Sequence, residues 1–347
     1  MITSFKLSSL EELQEMAASK STFLLSIAAA GIGYVIIRKF VAGGKSTSLA
    51  RLDGKTVIIT GANTGIGKET ARDLASRGAN VIIACRNKTK GKQAADDIKQ
   101  STGRPVTLRQ LDLSSLTSVR KFAAEVNQEL EHLDILINNA AVGPCPFSKS
   151  EDGYELQFAT NQLGHFLLTL LLLDLLHKSA PSRIIVVSGK AYEYGDLDLD
   201  NLNGKKSYHQ ITAYIQSKIA NIMFALELSA LLKEKGVTVN ALHPGVIHSE
   251  LGRHLDGGMP WPFSCLFIRL LGLMSWLFFK TPKQGAQTTV HCAVAEELED
   301  VTGQYFSDCK PKQLMPHVLD VNKRKELWKK CAEMVKLTDA ELPKCLQ

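Results

Sequence analysis

A single α/β domain on a doubly wound parallel sheet is the fold class the sequence predicts, and three observations predict it. A short β-branched run, Thr56–Thr60 (TVIIT), leads through a glycine-rich turn into an amphipathic stretch, Lys68 to Arg77, and a second apolar run, Asn80 to Ala84. That is a strand–turn–helix–strand unit with the spacing of a parallel crossover. Further strand-like runs follow at Val106–Leu111, Ile135–Ile137 and Thr238–Leu242, with helical stretches between them. The third observation is size: 347 residues, 45% apolar and 22% charged, suffice for one large core plus appendages and exclude disordered or fibrous classes. The expected organisation is an N-terminal segment (1–20), a membrane-anchor helix (21–40), a linker (41–53), the α/β domain (54–310) and a helical tail (311–347).

Other classes are excluded early. The net charge of +6 is spread along the chain, with no basic block interleaved with aromatics, so no nucleic-acid partner is expected. The seven cysteines are scattered and form no CxxC pair, which argues for a reduced compartment with no disulfide framework and no metal site.

The first element is Ser21 to Ile37, 17 residues without a charge, bounded by Lys20 and by Arg38-Lys39. As a helix it spans about 25 Å, the short end of membrane-spanning lengths. Glu11, Glu12 and Glu15 precede it, which disfavours a secretory signal, and Ala42-Gly43-Gly44 separates it from the first strand. Basic residues are denser after the segment than before it, so the domain is expected on the cytosolic face.

The turn after the first strand carries Gly61, Asn63, Thr64, Gly65, Ile66 and Gly67 in TGxxxGxG spacing. Such glycines allow a tight turn, close backbone approach to a pyrophosphate and packing of the following helix. The second strand ends in Cys85-Arg86-Asn87, without the acid that would bind a ribose 2′-hydroxyl. Arg86 can instead pair with a 2′-phosphate, which points to NADP(H). Asp112 closes the third strand within reach of an adenine. After the next strand come Asn138, Asn139, Ala140 and Ala141, where a strand-tying role for the asparagines weighs equally with cofactor contact.

Tyr214 and Lys218 lie at i and i+4 in a helical stretch, Ala213 to Lys233, and so share one face. An ammonium held one turn from a phenol stabilises the phenolate, making the pair a candidate acid–base device. The strand after this helix runs into His243-Pro244-Gly245. Trp261 to Phe279 is almost wholly apolar, broken by Arg269 and Gly272, and admits three readings: a hydrophobic substrate lid, an interfacial helix, or core. In the tail, a charged helical stretch (Asn322 to Val335) offers no chemistry. His165, His177, His291 and His317 lack partners at metal-ligand spacing and read as structural or solvated.

Taken in order, TGANTGIG, the NNA(A) run, Asn161 in NQLGHFLL, YxxxK and HPG resemble the short-chain dehydrogenase/reductase family over about residues 54–310. GANTGIGKET, ACRN, YGDLDLDNLN, VTVNALHPGV, LGRH, WLFFKTPKQGAQT and YFSDCK are similar to the microsomal retinol dehydrogenase branch. The resemblance implies a Rossmann-type fold and reversible hydride transfer between NADP(H) and a hydrophobic alcohol or aldehyde such as retinol or retinal. Steroids, lipid-peroxidation aldehydes and a non-catalytic binding protein are the alternatives. It implies Tyr214 as proton donor or acceptor, Lys218 as its electrostatic partner, and Asn161 as holder of a water for the proton relay. Cofactor contacts would extend to Pro244 and Gly245, and a lid to about 246–282. The implied partners are a hydrophobic small molecule and the lipid bilayer, with a homodimer left open. The implied address is the endoplasmic reticulum, with a mitochondrial membrane as the alternative. The chain departs from the family at three places. Gly189 stands where a substrate-orienting serine is expected, with Ser188 one residue earlier and so facing the opposite way on an extended strand. Ala141 replaces a glycine, and Ser249 a threonine.

Overall fold

β-branched and aliphatic residues, stiff in a helix but well fitted to a pleated surface, supply the strands. In chain order these are β1 (Thr56–Thr60), β2 (Asn80–Cys85), β3 (Thr107–Gln110), β4 (Ile135–Asn138), β5 (Ser182–Val187), β6 (Val237–His243), β7 (Tyr305–Ser307) and β8 (Lys310–Pro311). The computed structural model describes residues 31–247 and 277–347, together with 20, 22, 25, 26, 28 and 29. The sheet order is β3-β2-β1-β4-β5-β6-β7-β8. All neighbours are parallel except the β7–β8 hairpin, where Phe306 faces Pro311. Strand succession reverses between β1 and β4, the switch point at which such sheets open a crevice beyond their strand C-termini.

The connecting helices are α1 (Gly65–Ser76), α2 (Lys88–Thr102), α3 (Leu116–Glu129), α4 (Leu156–Lys178), α5 (Gln210–Leu231), α6 (Pro282–Val294) and α7 (Val321–Met334). They divide between the two sheet faces. On one face α3, α4, α5 and α7 pack around Val119, Phe166, Ile222 and Leu327; on the other α1, α2 and α6 pack around Leu74, Ile98 and Val290. Both faces of every central strand are therefore covered, which is why those strands read as unbroken apolar runs. α4 is long and apolar enough to cross a membrane, but 83% of its most apolar window is buried inside the fold, so it is a core helix. A π-turn at Ala159–Leu163 sits within it, at the level of Asn161.

The expected linker and tail are bound into the domain. Beyond the N-terminal helix, described continuously over 31–42, the chain runs along α6: Ser46 N donates to Gln287 Oε1 and Ser48 Oγ to the Val294 carbonyl. Arg38, expected only as a flanking charge, donates to the carbonyls of Phe279 (2.6 Å) and Leu277 (3.4 Å). At the other end, β8 crosses the expected domain boundary at residue 310, and α7 lays Trp328 against Phe166 and Phe224. The 311–347 segment thus completes the core. The expected anchor helix is described only in part, and residues 1–19 and 248–276, which hold most of the expected lid and Ser249, lie outside the described residues.

Candidate active site

The glycine turn sits at the crevice. Gly61 has φ +67°, and a Cβ there would stand 2.8 Å from Ala140 Cα; Gly65 has φ +57°. Both take the left-handed region that side chains rarely adopt. Gly67 lies so close to β4 that a Cβ would meet Asn139 Nδ2 at 2.5 Å. Thr64 caps α1 without using its side chain, so the first-turn N–H groups of a 12-residue helix remain directed at the crevice. That is a cradle for an anion. Asn63, Thr64 and Ile66 are half-exposed on its rim.

Thr60 organises the neighbouring loop. Its Oγ1 accepts from Asn139 N (2.9 Å) and Ala140 N (3.0 Å), while Asn139 Nδ2 donates to the Thr60 carbonyl (2.8 Å). Asn138 Nδ2 donates to Thr169 Oγ1. The Asn139 amide therefore ties the ends of β1 and β4 together, with one of its N–H groups engaged, and the Asn138 amide ties β4 to α4. Arg86 projects from the end of β2, its side chain 63% exposed, with Nε 3.9 Å from Asp112 Oδ2. Asp112 Oδ1 is engaged by Ser114 N and Oγ. At the far side Gly245 has φ +90° and packs on Lys280, and Pro244 precedes it at the end of β6.

α5 carries Tyr214 and Lys218 on the face toward β5. The Lys218 Nζ lies 5.7 Å from the Tyr214 ring centroid and donates to the Val187 carbonyl (3.2 Å) and Asn221 Oδ1 (3.4 Å). Burial pushes the Tyr214 phenol well above its ordinary value and lowers the Lys218 amine to about 8. The phenol therefore holds its proton at neutral pH, and the lysine remains mostly charged.

Gly189 follows β5 with φ −165°, ordinary extended backbone open to any residue. A Cβ built there would lie 3.6 Å from Tyr214 Oη and 3.7 Å from Lys218 Cγ, so position 189 faces the phenol. Ser188 points the other way: its buried hydroxyl donates to the Lys218 carbonyl at 2.8 Å. It cannot serve as a substrate contact while that bond is made.

Asn161 is also engaged. Its Oδ1 accepts from Val142 N (2.8 Å), and its Nδ2 donates to the Val142 carbonyl and Ser217 Oγ (both 3.0 Å). Its carbonyl receives Asn221 Nδ2 (2.7 Å) and His165 Nδ1 (3.1 Å). Asn221, which carried no role in the sequence reading, and His165, read there as structural or solvated, thus meet the site. The signal was slight: an asparagine three residues after the lysine, and a histidine four after Asn161.

A dinucleotide-type turn at the switch point, with a tyrosine–lysine pair across the crevice, defines a Rossmann-type oxidoreductase of the nicotinamide-dependent class. A short chain dehydrogenase model matches residues 55–258, and the chain belongs to that family, in the branch of the retinol dehydrogenases. It is 50% identical over 325 residues to retinol dehydrogenase 13 of Mus musculus, covering 92% of this chain and 96% of that one. With retinol dehydrogenase 14 of Homo sapiens it shares 44% over 333 residues, covering 90% and 97%. Among solved structures, an uncharacterized protein from Mycobacterium Paratuberculosis superposes with a TM-score of 0.67 at 31% identity, over 85% of this chain and 98% of that one.

Proposed function

We propose that the chain is an NADP(H)-dependent oxidoreductase that interconverts hydrophobic alcohols and aldehydes, retinol and retinal foremost, in the reductive direction. The observation that carries this reading is the convergence of Tyr214 and Lys218 on one open position beside residue 189, across the crevice from the glycine turn. The left-handed glycines, the close approach at Gly67 and the uncapped start of α1 fit a pyrophosphate. Arg86, exposed at the end of β2 with no carboxylate in the Cys85-Arg86-Asn87 run, favours a 2′-phosphate over a free hydroxyl. The named relatives support retinoids as substrates.

When bound, the reduced nicotinamide supplies the hydride that the carbonyl carbon accepts. Tyr214 Oη donates its proton to the carbonyl oxygen, and a buried phenol that holds its proton suits that direction. Lys218, still charged at pH 7, then stabilises the phenolate left behind. Gly189 supplies no side-chain donor to the developing alkoxide, so turnover is slower than with a serine there. The same observation favours one second reading, a cofactor-binding protein without turnover.

The N-terminal helix would anchor the enzyme: Ile32, Val35, Ile36 and Phe40 are 61–88% exposed, too apolar for a water-facing surface. Basic flanks favour a cytosolic domain, at the endoplasmic reticulum by resemblance to its branch or at a mitochondrial membrane. Full-length protein in detergent, given NADPH and all-trans-retinal, should form retinol and prefer NADPH to NADH. Tight NADPH binding without any retinol would establish the second reading and overturn the first.

A further inference from the structure

Between the cofactor loop and the catalytic lysine lies a buried chain of hydrogen bonds whose donors and acceptors can be assigned. The Asn161 carbonyl can only accept, so His165 must carry its proton on Nδ1 and the atom of Asn221 that faces it must be Nδ2. Neutral His165 then accepts on Nε2 from Thr60 Oγ1, 2.8 Å away, whose own lone pairs take Asn139 N and Ala140 N. Burial, aided by the nearby Lys218, lowers His165 to about 4, consistent with the neutral ring. The second N–H of Asn221 is fixed by Gln162 Oε1 at 3.0 Å. With both its N–H groups committed, Asn221 must present Oδ1 to Lys218 Nζ.

The Asn161 carbonyl receives two donors, Nδ1 of His165 and Nδ2 of Asn221, and its side-chain N–H groups go to the Val142 carbonyl and Ser217 Oγ, so this carbonyl is a fixed junction of the site. We propose that Asn221 is the positioning residue of the site: its side-chain oxygen, oriented by Asn161 and Gln162, fixes the place and charge of the Lys218 ammonium. Thr60 and His165 brace the same carbonyl from the cofactor side, so the loop that would receive the nicotinamide and the lysine that serves Tyr214 share one scaffold. The inference rests on the acid–base reading of Tyr214 and Lys218. The titratable groups facing the ammonium are Tyr214 on its own helix and His165 on α4; β5 offers the Val187 carbonyl, and no carboxylate pairs with Lys218 among the described residues.

The test reads the lysine directly. Full-length protein carrying carbon-13-labelled lysine is titrated by NMR in detergent, the Lys218 signal being assigned by its loss in Lys218→Met. A lysine near 8 stands apart from ordinary lysines near 10.4. Removing an acceptor from a buried ammonium disfavours its charged form, so Asn221→Ala should lower the midpoint by on the order of one pH unit. Asn221→Leu, which fills the space without an acceptor, should do the same. Asn138→Ala removes another buried amide, one bonded to Thr169, and should leave the midpoint in place. The alkaline limb of kcat for retinal reduction should fall with the lysine midpoint. A midpoint unchanged in both Asn221 variants, or moved equally by Asn138→Ala, would overturn the proposal. Full turnover in Tyr214→Phe would instead defeat the proton-donor assignment, while the lysine titration, which needs no turnover, still reports on Asn221.

Discussion

Restoring a hydroxyl at position 189 is the perturbation whose outcome the site geometry defines most fully. Gly189→Ser places a Cβ 3.6 Å from Tyr214 Oη and 3.7 Å from Lys218 Cγ, ordinary contact distances that demand no repacking. The backbone, at φ −165°, accepts serine without strain. The new Oγ extends from a Cβ that already faces the phenol, where a carbonyl oxygen accepting the Tyr214 proton would sit. A preorganised donor to a developing oxyanion contributes about 3 kcal/mol in comparable sites, or on the order of 10²-fold in rate. Because that donor strengthens its bond as charge develops, the gain should appear in kcat rather than KM. Steady-state oxidation of NADPH with all-trans-retinal, comparing the natural chain, Gly189→Ser and Gly189→Ser/Tyr214→Phe, reads it directly. An unchanged kcat in Gly189→Ser, or a gain that survives loss of Tyr214, would refute the reasoning. Ser188→Ala should leave kcat unaltered and lower stability by about 1 kcal/mol, because that hydroxyl is spent on the Lys218 carbonyl.

Three further outcomes follow from the geometry. Arg86→Ala should weaken NADPH binding ten- to a hundredfold, as expected for hydrogen bonds to a charged group worth about 1.5–3 kcal/mol, and leave NADH binding unmoved; fluorescence titration of both nucleotides checks it. Gly67→Ala forces a Cβ to within 2.5 Å of Asn139 Nδ2, so both thermal stability and NADPH affinity should drop, as melting curves with and without nucleotide would show. His165 titrates near 6.5 when unfolded and at about 4 when folded, so the unfolded chain takes up the proton first. Its contribution to stability is present above pH 6.5 and is lost as pH falls toward 4, at most about 3 kcal/mol. Urea unfolding across that range should show the decline, and His165→Gln should flatten it.

What the sequence made legible is local. The glycine turn and the Tyr214–Lys218 pair follow from strand and helix periodicity over a few residues, and the place of residue 189 follows from the family resemblance; in the structure position 189 faces the Tyr214 phenol. The reversed direction of Ser188 followed from the same alternation. The place of Asn221 was not legible, because its meaning arises at the Asn161 carbonyl, which belongs to a different helix and lies 60 residues away in sequence. Nor was the docking of the tail: α7 is charged on most of its surface, and burying Leu327 and Cys331 takes only a narrow face. Arg38 looked like a flanking charge because its acceptors, two backbone carbonyls and the Gln284 side-chain oxygen, are distant in sequence and carry no charge that would mark them.

The central claim is that Tyr214 donates the proton in an NADPH-driven reduction. A single-turnover measurement of retinal reduction by the NADPH-loaded natural chain and by Tyr214→Phe tests it most directly. The account predicts retinol from the natural chain and a loss of at least about 10²-fold in the variant, the usual scale of general acid catalysis, with NADPH affinity retained. Equal rates in the two proteins would contradict it.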